Sequence, residues 1–250
     1  MFNEVKSCNL ELAKLRAIKQ SNEIAAIKMA IKLTVDAFND IKPKLAIFTH
    51  EYQAEAEFTY YFRKNGAEGH AYDPIVASGK NACTLHYSVN NSRLNKNNLV
   101  LLDIGAKVGG YSADISRTYS LSEPNDRQIE VHQAVYDARR KIIDLLRPGL
   151  TVIDYQKQVE EIMRASLMQL GLLSSPDDYR RYFPHSVSHG LGVDTHDSLG
   201  APSEFLSGMV LTVEPGIYIP EENIGIRIED DILITDTGCI NLSAELPTGL

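Results

Sequence analysis

Two strand–turn–strand segments set carboxylates into otherwise apolar strands, and this constrains the fold more than any other feature of the chain. The first is LVLLDIGAKVGGYSADISRTYS at 99–120; the second is GMVLTVEPGIYIP followed by EENIGIRIEDDILIT at 208–235. A turn centred on Val108-Gly109 puts Asp103 opposite Asp114, and one centred on Glu221-Glu222 puts Glu214 opposite Glu229. Directly opposed side chains have Cβ atoms only about 4.5–5.5 Å apart, where like charges destabilise the pair. A single such pair is readily explained as solvated strand residues, since a one-residue slip moves a side chain to the other face. Two pairs in corresponding places along the chain ask for a cation. The alternation of faces also puts Arg227 beside Glu229 and Tyr218 beyond Glu214, so a basic and a phenolic group share the carboxylate face.

The elements around the hairpins come twice in the same order. Ile24, Ile27, Ile31, Val35 and Phe38 recur at helical spacing and predict a helix over 22–40. A second helix follows over 51–64 and stops at Asn65-Gly66. Strands are predicted over 72–77 and 98–104, the latter leading through the first hairpin to Tyr119. Val131, Val135, Ala138, Ile142 and Leu145 then make one stripe that ends at Arg147-Pro148-Gly149. Thr151 and Asp154 form a capping pattern for a further helix carrying Val152, Val159, Ile162 and Leu170, and short strands continue to about Thr235. No repeat is visible residue by residue, yet the plan is used twice. It predicts an α+β fold: a curved, mainly antiparallel sheet covered by helices on one face, in two pseudo-symmetric halves. No low-complexity tract or linker interrupts it, so 1–250 reads as one continuous domain.

Composition narrows the function classes. The 33 Asp and Glu against 25 Lys and Arg give a net charge of -8, which repels phosphate backbones and argues against a nucleic-acid partner. Three scattered cysteines, Cys8, Cys83 and Cys239, form neither a disulfide framework nor a CxxC metal site and suit a reducing compartment. The first twenty residues carry no signal-peptide core, and no apolar run approaches the roughly 20 residues of a membrane helix. The expectation is a cytoplasmic protein with no membrane partner.

The stretch PHSVSHGLGVDTHD at 184–197 holds His185, His189 and His196, with Gly190 and Gly192 allowing close backbone approach. An isolated histidine is more often structural than functional; three so close together point to a site. The spacing is not the HExxH of a zinc helix. His86, just before the first hairpin, is a fourth candidate, whereas His50, His70 and His132 read as structural or exposed. Four carboxylates and an imidazole make an oxygen-rich set, suited to a pair of divalent ions rather than one tetrahedral zinc. Two such ions about 3.5–4 Å apart can share a hydroxide and polarise a carbonyl. The residues alone thus reach a dinuclear hydrolase of unspecified substrate.

The strings DIGAKVGGYSADISRT, HSVSHGLGVDTHD, TVEPGIYIP and GIRIEDD, in this order, resemble the pita-bread metallopeptidases, most closely the aminopeptidase P branch, with prolidase next. The resemblance extends from LRAIKQSNEIAAIKMA to the C-terminus. It implies that Asp103, Asp114, His189, Glu214 and Glu229 hold two divalent metal ions, with Asp114 and Glu229 bridging. Manganese is the first expectation, with Co, Fe or Zn as alternatives. It further implies that a metal-bound hydroxide attacks the scissile carbonyl with Glu214 as general base, and that His86 and His196 steady the tetrahedral intermediate. His185 corresponds to a residue lining the prolyl pocket, supported by Tyr218 and Arg227. The implied partners are peptides with proline at the second position, and the implied reaction releases the residue before that proline.

GIRIEDD and EPGIYIP favour the proline-specific branch over methionine aminopeptidases, which share the ligand types. Xaa-Pro dipeptidase is the alternative within the branch. A non-catalytic peptide-binding module and a metal-free amidinohydrolase on the same fold are alternatives of another class. The family's usual N-terminal domain has no expected counterpart here, since AKLRAIKQSNEI begins almost at once, which leaves homo-oligomerisation open.

Overall fold

The computed structural model describes residues 6–175 and 178–250. Its first half opens with α1 (Asn9–Ala17), α2 (Ser21–Ile41) and α3 (Glu51–Lys64). In α2, Ile27, Ile31, Val35, Phe38 and Ile41 line up on one buried face, and Glu23 reaches back to the backbone N–H of Gln20 at 2.8 Å to cap the start. In α3, Ala54, Phe58 and Phe62 are buried at four-residue spacing, and Phe58 meets Phe38 edge-on with ring centroids 5.1 Å apart. Both helices cover β3 (Leu99–Ile104), whose six residues are all buried between β2 (Ile75–Ser78) and β6 (Ile115–Ser120). A smaller sheet joins β1 (Gly69–His70), β4 (Ala106–Val108) and β5 (Tyr111–Ser112).

The second half repeats the arrangement. The long helices α4 (Asp126–Leu145) and α5 (Val152–Gln169), with the short α6 (Asp178–Tyr182), pack Val131, Val135, Ile142, Val159 and Met163 against β7 (Val210–Val213), β8 (Gly216–Ile219), β9 (Ile224–Arg227) and β10 (Asp230–Ile234). Thr151 accepts the N–H of Asp154 at 3.1 Å, as the capping pattern predicts. One more strand, β11 (Cys239–Asn241), extends beyond the expected end near Thr235 and pairs with β10. Among the described residues every strand pairing is antiparallel. Among the described residues no helix is long and apolar enough to cross a membrane.

The second hairpin has the expected register: Gly216 pairs with Arg227 and Val213 with Asp230, which leaves Glu214 across from Glu229. The first does not. Val108 pairs with Tyr111 and Asp103 with Ser116, so Asp103 does not face Asp114. The turn residues are Gly109 and Gly110, both at positive φ (59° and 79°). A two-residue type I′ turn needs positive φ at both central positions, which two glycines supply without strain and a β-branched Val108 does not. The register moves by two residues, an even number, so Asp103 and Asp114 keep a common face and become diagonal neighbours. The strand expected over 72–77 begins later, at Ile75, and leaves Tyr72 in irregular chain.

Candidate metal centre

Both hairpins are interrupted where the acids sit. Asp114 lies between β5 and β6, Glu214 between β7 and β8, and Glu229 between β9 and β10, while Asp103 ends β3 one residue before its last. Gly105 marks the break on the first hairpin: a Cβ there would stand 1.9 Å from the carbonyl oxygen of Ala113, so only glycine fits. The halves join at this level, where the N–H of Glu229 donates to the carbonyl of Ser116 at 3.1 Å.

The carboxylates and one imidazole converge. Potential ligand atoms of Asp103, Asp114 and Glu229 lie within 4.8 Å of one another, as do those of His189, Glu214 and Glu229, and those of Asp114, His189 and His196. Asp114, His189 and Glu229 each belong to two of these groups and so stand at the middle of the cluster. His189 hydrogen-bonds the carbonyl of Gly190 through Nδ1 at 3.0 Å and turns Nε2 to Asp114 (3.4 Å) and Glu214 (3.5 Å). A carbonyl on one ring nitrogen fixes the tautomer that leaves the other free to ligate.

Arg227 organises the cluster from below. Its guanidinium donates to Asp103 Oδ2 at 2.6 Å, Ser116 Oγ at 2.8 Å and the Tyr218 hydroxyl at 3.0 Å. Tyr218 in turn bonds His185 Nε2 at 2.8 Å, while His185 Nδ1 meets the carbonyl of Ser186 at 2.7 Å. Because Arg227 already donates to the phenolic oxygen, that hydroxyl's proton points to Nε2, and His185 carries its own proton on Nδ1. Burial and the charge of Arg227 push His185 down to about 3, so it stays neutral.

Electrostatics ask for positive charge. Burial raises the Glu214 carboxyl to about 7 against the pull of His189 and Arg227. Glu229 is driven well above the usual carboxylate range by burial and by Asp114, Glu214 and Asp103; Asp103 is raised by burial despite Arg227. Burial works against a charged His189, yet Asp114 and Glu214 outweigh it and hold the imidazole up at about 9. These are buried acids short of cations, and an oxygen-rich donor set of this size fits two divalent ions.

A cleft of about 820 Å³ opens over the cluster. His86, His185, His196, Asp103, Asp114, His189, Glu214, Arg227 and Glu229 all reach its wall. Tyr218 does not: it is buried beneath His185 and Arg227 and hydrogen-bonded to both. His86 and His196 are exposed, and the His196 ring stands edge-on to His189 at 4.3 Å. The other three histidines serve structure: His50 caps α3, His70 bonds Thr59 at 2.8 Å, and His132 bonds the carbonyl of Thr248 at 2.7 Å.

Four residues of the site had no sequence expectation. The Tyr72 hydroxyl donates to Asp103 Oδ1 at 2.6 Å, Ser116 Oγ donates to Glu229 Oε2 at 2.7 Å, and Thr212 Oγ1 accepts the N–H of His189 at 3.1 Å. Asp231, fully buried, accepts the N–H of Asp114 at 3.2 Å. Correct register alone would have found Ser116, directly opposite Asp103. Tyr72 is brought in from irregular chain and left no periodic signal.

Comparison with known proteins agrees with this geometry. Residues 25–236 match the model of metallopeptidase family M24. The chain is 37% identical over 254 residues to Xaa-Pro aminopeptidase of Escherichia coli K12, covering 93% of this chain and 57% of the relative. It is 33% identical over 244 residues to Xaa-Pro dipeptidase of Pyrococcus furiosus, covering 96% and 67%. The structure of E. coli aminopeptidase P with the inhibitor Pro-Leu superposes with a TM-score of 0.90 at 34% identity, over 97% of this chain and 60% of that one. The chain thus spans about three fifths of the length of its aminopeptidase relatives. The fold is the α+β pita-bread fold, and the chain belongs to metallopeptidase family M24.

Proposed function

We propose that this chain is the catalytic unit of a two-metal Xaa-Pro aminopeptidase, with Asp103, Asp114, His189, Glu214 and Glu229 as metal ligands. The observation that carries the reading is the convergence of these five donors under an open cleft whose walls carry three further imidazoles. A divalent pair bound there supplies a Lewis acid and lowers the pKa of water. We take manganese as the physiological metal.

In this reading the scissile carbonyl lies over the cluster. Glu214, on the cleft wall beside the cluster, takes a proton from the attacking water and delivers it to the prolyl nitrogen as the C–N bond breaks. His86 and His196 stand on the cleft wall, placed to hydrogen-bond the oxygen on which charge develops. His185, held neutral by burial and the charge of Arg227 and bonded by the Tyr218 hydroxyl, presents a flat face toward the prolyl ring, with Ile75 and Leu85 as apolar lining. Arg227 and Tyr72 hold both oxygens of Asp103 and so fix the way it faces the metals.

A second reading, Xaa-Pro dipeptidase, is supported by the 33% identity to the Pyrococcus enzyme over nearly the whole chain. Hydrolysis of an Xaa-Pro dipeptide and an Xaa-Pro-Xaa tripeptide under Mn(II) separates the two. Faster tripeptide cleavage supports the aminopeptidase; dipeptide-only cleavage supports the dipeptidase. No turnover of either, with no metal retained, overturns both.

A further inference from the structure

His196 makes no hydrogen bond among the described residues; its recorded contact is the ring of His189. Its position over the cluster must therefore come from the backbone that carries it. That backbone is the turn from Gly192 to Asp197, at whose C-terminal end the N–H of Asp197 donates to the carbonyl of Gly190 at 2.8 Å. Val193, Asp194 and His196 in it are exposed. Nothing in the turn packs into a core.

The N–H of Ser112 donates to the carbonyl of Gly192 at 2.8 Å, Lys107 Nζ to that of Val193 at 3.3 Å and Thr195 Oγ1 to that of Ala71 at 3.4 Å. The C-terminal end of the turn is held by a buried ion pair from far along the chain. Lys19 Nζ stands 3.2 Å from Asp197 Oδ2, and the two side chains are only 1% and 2% exposed. Arg16 Nε lies 2.8 Å from the other oxygen of Asp197, and Arg16 Nη2 2.5 Å from Asp194. Lys19 is itself tied to the sheet: its N–H donates to the carbonyl of Gly208, and the N–H of Gly208 to the carbonyl of Ile234 in β10. The pair lies across the bare backbone of Gly192, where a Cβ would come within 2.1 Å of Asp197 Oδ2 and 3.0 Å of Lys19 Cε. Gly192 thus makes room for the contact. An ammonium buried this fully needs its carboxylate in place, so the pair fixes Asp197, and Asp197 fixes its neighbour in the chain.

We propose that Lys19, through its buried ion pair with Asp197, is a positioning residue for His196. The proposal rests on the Xaa-Pro peptidase reading for its effect on rate, but not for its effect on the His196 ring. Misplacing a catalytic group by about 1 Å costs on the order of 100-fold in rate. Lys19→Met, which keeps the length and loses the charge, lowers kcat on an Xaa-Pro tripeptide about 10- to 100-fold, with little change in KM. Lys19→Arg restores much of the loss.

The test is a double-mutant cycle on kcat joined to NMR of 15N-histidine-labelled, metal-free protein. In the spectrum, His196 is identified by the signal missing from His196→Ala. The expected results are that Lys19→Met together with His196→Ala is no slower than His196→Ala alone, and that Lys19→Met shifts or broadens the His196 signal while leaving His132 unmoved. A core truncation of matched thermal stability, Val135→Ala, keeps the wild-type kcat. If Lys19→Met does not fold, Asp197→Asn carries the same measurements. Additive losses in the cycle, or an unmoved His196 signal, overturn the proposal. Absence of turnover in the wild type would instead count against the peptidase reading, and the NMR result would still decide on Lys19.

Discussion

Removing one shared ligand should stabilise the metal-free protein and abolish its response to metal. Glu229 is 2% exposed, and burial and three neighbouring acids hold its carboxyl well above the usual range. Glu229→Gln removes that burden, so the metal-free variant melts higher than the wild type at pH 8. The wild type gains instead from the ion: at a free concentration of about 100 times Kd, one bound metal adds about 2.7 kcal/mol. For a chain of this size each kcal/mol moves Tm by about 2–4 °C, so Mn(II) should raise Tm by about 5–10 °C. The variant should move by less than about 2 °C under the same conditions, since a carboxylate common to two of the donor groups is gone.

The same shift should depend on pH in a stated direction. The Glu214 carboxyl is raised from 4.5 to about 7, so what it contributes to the metal-free fold is complete below 4.5 and lost as pH rises through 7. Metal demands the opposite: an ionised Glu214 and a neutral His189 Nε2. Between pH 6 and 8 the ionised fraction of Glu214 rises about tenfold, worth about 1.4 kcal/mol of metal binding. His189, held up at about 9, must also give up a proton, so between one and two protons leave per metal bound near Glu214 and His189. Differential scanning fluorimetry at pH 6 and 8, with calorimetric titrations in buffers of different ionisation enthalpy, measures both quantities. A metal-induced shift equal at the two pH values, or retained in full by Glu229→Gln, would refute the ligand assignment.

Three further outcomes follow from individual contacts. Arg117 is 1% exposed and bonds Asp230 at 2.8 Å together with the carbonyls of Glu229 and Leu246; Arg117→Met should cost about 3–5 kcal/mol in urea unfolding, because Asp230 loses a partner in the interior. Burial lowers His70 to about 4, so the neutral ring is the folded form and the stability tied to it is lost as pH falls below 6.5; from pH 8 to 5 the wild type should lose about 2 kcal/mol more than His70→Phe. Tyr72→Phe frees one oxygen of Asp103 and should weaken metal binding about 10- to 100-fold by titration, while leaving the metal-free Tm within about 2 °C.

Helix positions were legible wherever one apolar stripe decided them, as in Ile27, Ile31, Val35 and Phe38. The second hairpin was legible too, because its turn fell where the charged and proline residues put it, and its register carried Glu214 to Glu229. The first was misread by two residues, since the demand of a type I′ turn for two positive φ angles outweighs any preference of the strands. The error left the faces intact because it was even; an odd slip would have sent Asp103 out of the site. Alternation, however, describes an unbroken strand, and these strands break at Asp114, Glu214 and Glu229. A break frees the acid's neighbours from ladder pairing, which is how the N–H of Glu229 can cross to the carbonyl of Ser116 in the other half. Each hairpin read alone therefore supplies two acids and an electrostatic penalty. Only when the two broken levels meet do Ser116 and Arg227 find the acids they hold, and that meeting depends on contacts between residues more than a hundred positions apart, which no local pattern encodes.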